Sequence, residues 1–269
     1  MSARTLLTER ITVAIDESGV ATMSWDLPPH NFVDDAFAVE LNRHLAVLDH
    51  DSAVRAIVFA PAGRHFCAGW DHSPPTVSPR SETSARRPGP AAFDAVANFV
   101  ALLSGTKPRV AAVQGAAIGG GLGLALAADA RVTCAEARLS ANFAALGLFP
   151  GSAMTVTLPH VVGPSVASVL LGTARRLTGT DAVDIGLCDR LAPRADVASG
   201  AHALAVELAA LPPLAVSSIR ATIRAGLIST LPELFAAETA HQQRLHDTDD
   251  FIEGVAAVNA RRPPRFRGR

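Results

Sequence analysis

The sequence predicts an α/β fold: parallel βαβ units over residues 1–194, followed by a helical segment over 195–269. Three observations predict it. Short apolar runs of strand length alternate with helix-period segments, the pattern of parallel units. Beyond about Ala195 the pattern is helical throughout, with no strand. Hydrophobic residues are 49% and charged residues 18% of 269, enough for a sizeable core.

The elements follow in order. "ITVAID" and "VATMSWD" flank the turn "ESG" and read as a hairpin. Asp34 or Asp35 then caps a helix through about Leu48, with Phe37, Leu41, Leu45 and Leu48 at helical spacing. "VRAIVFAPAG" is a buried strand entering a turn, "RVAAVQG" is the next, and "ARVTCAEARLS" is a further strand region after a helix. Residues 71–91 are rich in Pro, Ser and Arg and form a long loop, either a lid or a plain surface insertion. In the C-terminal segment, "ADVASGAHALAVELAAL", "PLAVSSIRATIRAGL" and "PELFAAETAHQQRL" read as helices, with Pro212, Pro213 and Pro232 near their starts.

Composition excludes several classes. A formal net charge of −1 argues against electrostatic capture of nucleic acid, although "RRPPRFRGR" ends the chain with five arginines. Cys67, Cys134 and Cys188 lie far apart with no C-x-x-C pair, so neither a zinc site nor a disulfide framework is expected, and a reducing cytoplasm fits. The start, "MSARTLLTER", lacks the apolar run of a signal peptide. His241 and His246 are five apart and do not share a helix face, so no metal is expected. "GPSVA" is only a partial match to a serine-hydrolase elbow.

The densest feature is "GAAIGGGLGLALAADA", Gly115 to Ala130. Val110 to Ala128 is 19 residues without a charge, but five are Gly, and "RVAAVQG" reads as a strand rather than a membrane helix. The dinucleotide fingerprint fails because the sixth position is leucine; the Walker pattern fails because no lysine follows. What remains is a strand, a tight glycine turn and a helix. Such a turn lets backbone amides approach a ligand and hold a developing oxyanion, an effect of ~3 kcal/mol on a transition state. "GRHFCAGWDH" ends the preceding strand in the same way, so two turns can each supply one donor.

Together, "GRHFCAGWD", "KPRVAAVQGAAIGGGLGLALAADARV", "LGLFPG", "LPHVVG", "RRLTGTDAVDIGLCDRL" and "DDFIEGVAAVNARRPPRFRGR" resemble the crotonase superfamily of enoyl-CoA hydratases and isomerases, in order along nearly the whole chain. The resemblance implies a spiral of ββα units over 1–194 and a trimerising helical segment, giving a homotrimer or dimer of trimers. It implies acyl-CoA thioester substrates, with coenzyme A as part of the substrate and no permanently bound cofactor. It places the oxyanion donors on the backbone of Trp70 and Gly120, with Ala68, Asp71, Ile118, Asn142 and Phe143 around the substrate. Arg261 matches a CoA-contacting lysine, or is a solvated tail residue.

The chain departs from familiar members at the acid/base positions. Hydratases place one glutamate two residues after "GGG", where this chain has Gly123, and another four before the glycine of "LG-x-x-PG", where it has Phe143. Some isomerases and a dehalogenase use an acid four residues after that glycine; here it is Gly151. A positioned acid or base contributes ~10²–10⁴-fold, so ordinary hydration is not expected.

Other polar side chains take up the question. Ser152 is either an N-cap for the helix of "AMTVTL" or a hydroxyl that orients water or substrate. Asn142 is a turn residue or a substrate contact, and His72 a solvated loop histidine or a base titrating near neutrality. Asp71 shapes its loop; His65 has a surface role or meets a CoA phosphate; Phe93, Val96 and Phe99 line an acyl pocket or pack the core. Two functions are therefore carried forward: an acyl-CoA enzyme of atypical lyase or isomerase mechanism, and a non-catalytic acyl-CoA carrier or regulator. A related fold acting on a diketone without CoA is the remaining option.

Overall fold

The structure, a computed structural model, describes residues 4–8, 10–70 and 100–269. A seven-stranded sheet runs β1-β2-β3-β4-β5-β7-β10, with β1 (Arg4–Leu7), β2 (Ile11–Ile15), β3 (Val20–Trp25), β4 (Ala56–Phe59), β5 (Arg109–Val113), β7 (Ala130–Thr133) and β10 (Arg190–Leu191). β2 and β3 form the expected antiparallel hairpin; from β3 onward every pairing is parallel. A smaller sheet holds β6 (Ala116–Ile118), β8 (Arg138–Ser140) and β9 (Leu177–Thr178). Consecutive strands thus enter the two sheets in turn: β5 joins the large one, β6 the small, β7 the large and β8 the small.

Burial follows the sequence pattern. "AIVF" of β4 and "RVAAV" of β5 are buried at every position, as central parallel strands with both faces covered must be. Helix α1 (Asp35–His50) starts at Asp34, whose carboxylate accepts the Phe37 N–H, and buries Phe37, Leu41, Leu45 and Leu48. Helix α2 (Gly120–Leu126) is buried along its length. Helices α3 (Met154–Val162), α4 (Pro164–Thr173) and α5 (Gly179–Asp184) follow. Helix α6 (Val197–Ala209) buries Val197, Ala201, Ala205 and Ala209, one face at a four-residue repeat whose small side chains let it lie close on the sheet.

The last two helices differ from the sequence pattern in one respect. The segments on either side of Pro232 form a single helix, α7 (Pro213–His246), with Pro213 in its first turn and Pro232 in its interior. Pro232 is not a helix start. It removes one backbone donor, a loss that the packing of Leu231 and Phe235 into the core offsets. Helix α8 (Asp249–Asn259) follows, capped by the Thr248 hydroxyl. Among the described residues no single helix is long and apolar enough to cross a membrane.

Buried charges fix α7 to the large sheet. Asp129, after α2, accepts from Arg109 N–H (2.8 Å) and Arg220 Nε (2.8 Å) on one oxygen and pairs with Arg224 Nε (2.8 Å) on the other. Burial pushes its carboxyl up, but Arg224 and Arg220 outweigh burial and hold it below the usual range. Arg224 also donates to Ala128 O (3.0 Å).

Candidate active site

Two loop ends meet where β4 and β5 run out. Cys67 N–H donates to Ala116 O (2.9 Å) and Ile118 N–H to Cys67 O (3.1 Å), so residues 67–70 lie alongside 116–120. The first loop is braced by Asn31, which is buried in a left-handed conformation (φ 53°). Its side-chain amide donates to Ala62 O (2.9 Å) and His65 O (2.7 Å) and accepts from Leu27 N–H (2.7 Å). His65 is no plain surface residue: its Nδ1 accepts the Ala116 N–H (3.1 Å), a bond that needs the neutral ring. Burial, then His30, Arg64 and Arg194, push its pKa down, the direction that favours this bond.

The glycines of the second loop have separate tasks. Gly119 adopts φ 52°, ψ −120°, a conformation that side chains disfavour, and turns the chain from β6 into α2. At Gly121 a Cβ would lie 2.1 Å from Cys67 O, so only glycine lets α2 press against the first loop. Between them is Gly120. A Cβ there would lie 4.0 Å from the Trp70 amide nitrogen and 3.7 Å from the Trp70 ring. Among the described residues neither the Trp70 nor the Gly120 N–H has a protein acceptor. Beside them runs an apolar cleft lined by Phe37, Leu41, Trp70, Leu102, Gly120 and Leu124.

A third segment, residues 142–155, closes the other side. Asn142 Oδ1 and the Phe143 ring lie 2.9 and 3.8 Å from where a Gly119 Cβ would be. Ser152 Oγ lies 3.7 Å from the corresponding point on Gly120. Ser152 is not an N-cap. It and Ala153 both have positive φ (62° and 54°), α3 starts at Met154, and no side chain caps it. Two successive left-handed residues cost about 1–2 kcal/mol each, so this turn must be held from outside.

The C-terminal helix holds it. Glu238 on α7 is 3% exposed, and its carboxylate accepts from Ala153 N–H (3.3 Å) and Thr155 Oγ (3.2 Å). Burial pushes its pKa up to about 7, against the lowering pull of those two bonds. One turn further on, Gln242 donates to Phe149 O (3.2 Å), and the His241 ring stacks on Phe149 at 4.6 Å. Sequence reading missed Glu238 and Gln242. The available signal was a carboxylate on the stripe Arg220, Arg224, Leu231, Phe235, Glu238, which is spaced as one helix face.

The structure therefore brings Trp70 and Ser152 beside Gly120 and Asn142 and Phe143 beside Gly119, with Ala68 and Ile118 on the same adjoining segments. Arg261 is not among them; it is exposed at the end of α8, and its N–H bonds Val258 O (3.1 Å). Asp71, His72, Phe93, Val96, Phe99 and the loop 71–91 lie outside the described residues. Each position lacking an acid is occupied by something else. Ser152 fills the space beside Gly123, Phe143 faces Gly119, and Gln242 covers Gly151, where a Cβ would lie 2.8 Å from its Nε2. Among the described residues no group of three or more His, Cys, Asp or Glu is placed to hold a metal.

Comparison with known proteins identifies the family of the chain and its fold. A family model described as enoyl-CoA hydratase/isomerase matches residues 16–269. The chain is 31% identical to a probable enoyl-CoA hydratase of Bacillus subtilis over 96% of its own length and 98% of the relative's. It is 33% identical to human mitochondrial methylglutaconyl-CoA hydratase over 85% and 67% of the respective chains. A crystal structure of an enoyl-CoA hydratase/isomerase from Pseudoalteromonas atlantica superposes with a TM-score of 0.82 at 26% identity, covering 96% of this chain and all of that one.

Proposed function

Because this chain belongs to the enoyl-CoA hydratase/isomerase family, we propose that it acts on an acyl-CoA thioester and stabilises the thioester enolate. The observation that carries the proposal is the pair of backbone amides, Trp70 and Gly120: a Cβ on Gly120 would lie 4.0 Å from the Trp70 amide nitrogen, and neither N–H has an acceptor among the described residues. Placed on the thioester oxygen, they strengthen their bonds as negative charge grows there, which lowers the barrier by ~3 kcal/mol per donor. The apolar cleft beside them is where we place the acyl group. Coenzyme A enters with the substrate, and no permanent cofactor is needed.

The side chains argue against a glutamate-catalysed hydration. Gly123, Phe143 and Gly151 carry no titratable group, and at the two glycines a side chain would displace Ser152 or Gln242. The reaction we favour is an isomerase- or lyase-type step through the enolate, with the proton handled by the substrate, by water at Ser152 or by His72. Exposed Leu214, Ile219 and Ile223 on α7 and Ile252 on α8 support a homotrimer or dimer of trimers.

The three positions without acids also favour a second reading, an acyl-CoA carrier or regulator that binds without turnover. A panel of enoyl-, hydroxyacyl- and malonyl-type CoA esters decides between them. Turnover of any ester, abolished when the cleft is blocked by Leu102→Trp, supports the enzyme. Tight binding with no turnover of any ester supports the carrier. No calorimetric binding of CoA esters overturns both.

A further inference from the structure

We propose that Glu238 is a positioning residue for this site: from the C-terminal helix it holds the Ser152–Ala153 turn in its left-handed form, so that the Ser152 hydroxyl becomes a third hydrogen-bonding group beside the Trp70 and Gly120 amides. The inference rests on the acyl-CoA reading for what the hydroxyl touches, but not for how the turn is held.

Three independent features converge on it. The turn carries two left-handed side-chain residues in succession, neither of them glycine. Glu238 bonds the residue that ends the turn and the hydroxyl two positions on, holding its C-terminal end from outside. Ser152 Oγ lies 3.7 Å from where a Gly120 Cβ would be and 3.2 Å from the corresponding point on Gly123, and it has no partner among the described residues, so a polar atom is placed beside the glycine turn without being used by the fold. A hydroxyl both donates and accepts, so it can serve a thioester oxygen or a water that protonates the enolate.

Glu238 is placed to be felt. The groups facing it are the Ala153 amide and the Thr155 hydroxyl. On its own helix, His241 is turned onto Phe149 and Gln242 reaches Phe149 O. No cation pairs with the carboxylate among the described residues, and burial alone raises its pKa to about 7. Protonation removes charge from the acceptor of the Ala153 bond and loosens the turn.

The test has two arms on the full-length protein. In the first, ¹⁵N-alanine labelling follows the Ala153 amide without ligand. Its proton shift moves with a midpoint near pH 7 in the wild type and is flat in Glu238→Gln. In the second, acetoacetyl-CoA is the probe, and the near-ultraviolet absorbance of its bound enolate is read. Ser152→Ala and Glu238→Gln each weaken the enolate signal about tenfold, the weight of one hydrogen bond, and the double variant loses no more than either single one. Thr155→Val, which removes one donor and keeps the shape, gives a smaller loss and serves if Glu238→Gln does not fold. An Ala153 shift indifferent to pH, or independent losses multiplying to about a hundredfold in the double variant, overturns the proposal. A wild-type protein that does not bind acetoacetyl-CoA counts against the acyl-CoA reading, while the first arm still decides the role of Glu238.

Discussion

Ser152 sits in the space that position 123 would need for a side chain: a Cβ built on Gly123 lies 2.5 Å from the Ser152 Cβ and 3.2 Å from its hydroxyl. Glycine and serine here form a matched pair: the side chain at 152 occupies the space that a side chain at 123 would need.

The pair predicts a coupling. Gly123→Ala in a helix interior ordinarily gains about 1 kcal/mol, but here overpacking of ~1–3 kcal/mol outweighs the gain. The single variant is expected to unfold at lower denaturant than wild type. Adding Ser152→Gly, which relieves both the contact and the positive φ, restores stability, so a double-mutant cycle gives a coupling of ~1 kcal/mol or more. Additive effects would refute the matched pair.

Gly121 allows no such compensation. A methyl there would meet the carbonyl of Cys67 at 2.1 Å, and a backbone cannot step aside as a side chain can. Gly121→Ala is expected to cost ~3 kcal/mol or more and to separate the Trp70 and Gly120 amides. CoA-ester binding measured by calorimetry should vanish in any fraction that still folds.

The raised pKa of Glu238 fixes the sign of a pH effect. A carboxyl whose folded pKa is about 7, against an ordinary 4.5, binds its proton more tightly in the folded state. Its own contribution to stability therefore falls as pH rises from about 4.5 to about 7 and is then constant, the full loss being about 3 kcal/mol. Relative to wild type, Glu238→Gln should show a flatter melting temperature between pH 5 and 8. Equal slopes for the two proteins would rule this out.

Asp129 offers a contrast between buried and exposed charge. Asp129→Ala leaves Arg220 and Arg224 without their shared partner, at ~3 kcal/mol, and should speed hydrogen exchange along α7. Glu207→Ala, which breaks the exposed pair with Arg190, should leave the melting temperature unchanged.

How far the sequence carried depends on how local each cause is. The β2–β3 hairpin and the Asp34 cap are set by residues within a few positions of each other, so pattern alone reveals them. The glycine turn at 119–121 was legible as a backbone device because no known nucleotide motif fits it. The brace at Asn31, the helix running through Pro232 and the Ser152–Ala153 turn were not. Each is decided by partners 31 to 85 positions away or by the packing of a long helix, which outweighs a local preference. Ser152 shows the difference most clearly: before an apolar run a serine signals a cap, and only the distant Glu238 turns it into something else.

The reach of α7 from Arg224, anchored at Asp129, to Glu238, bracing the turn, is about 21 Å of continuous helix. It also sets an order of events during synthesis. Strands β4 and β5, the glycine turn and both amides emerge from the ribosome well before residue 238 does. A nascent chain halted short of it holds the sheet but lacks the contact that fixes its site, so competence for ligand arrives late, with the docking of the last long helix.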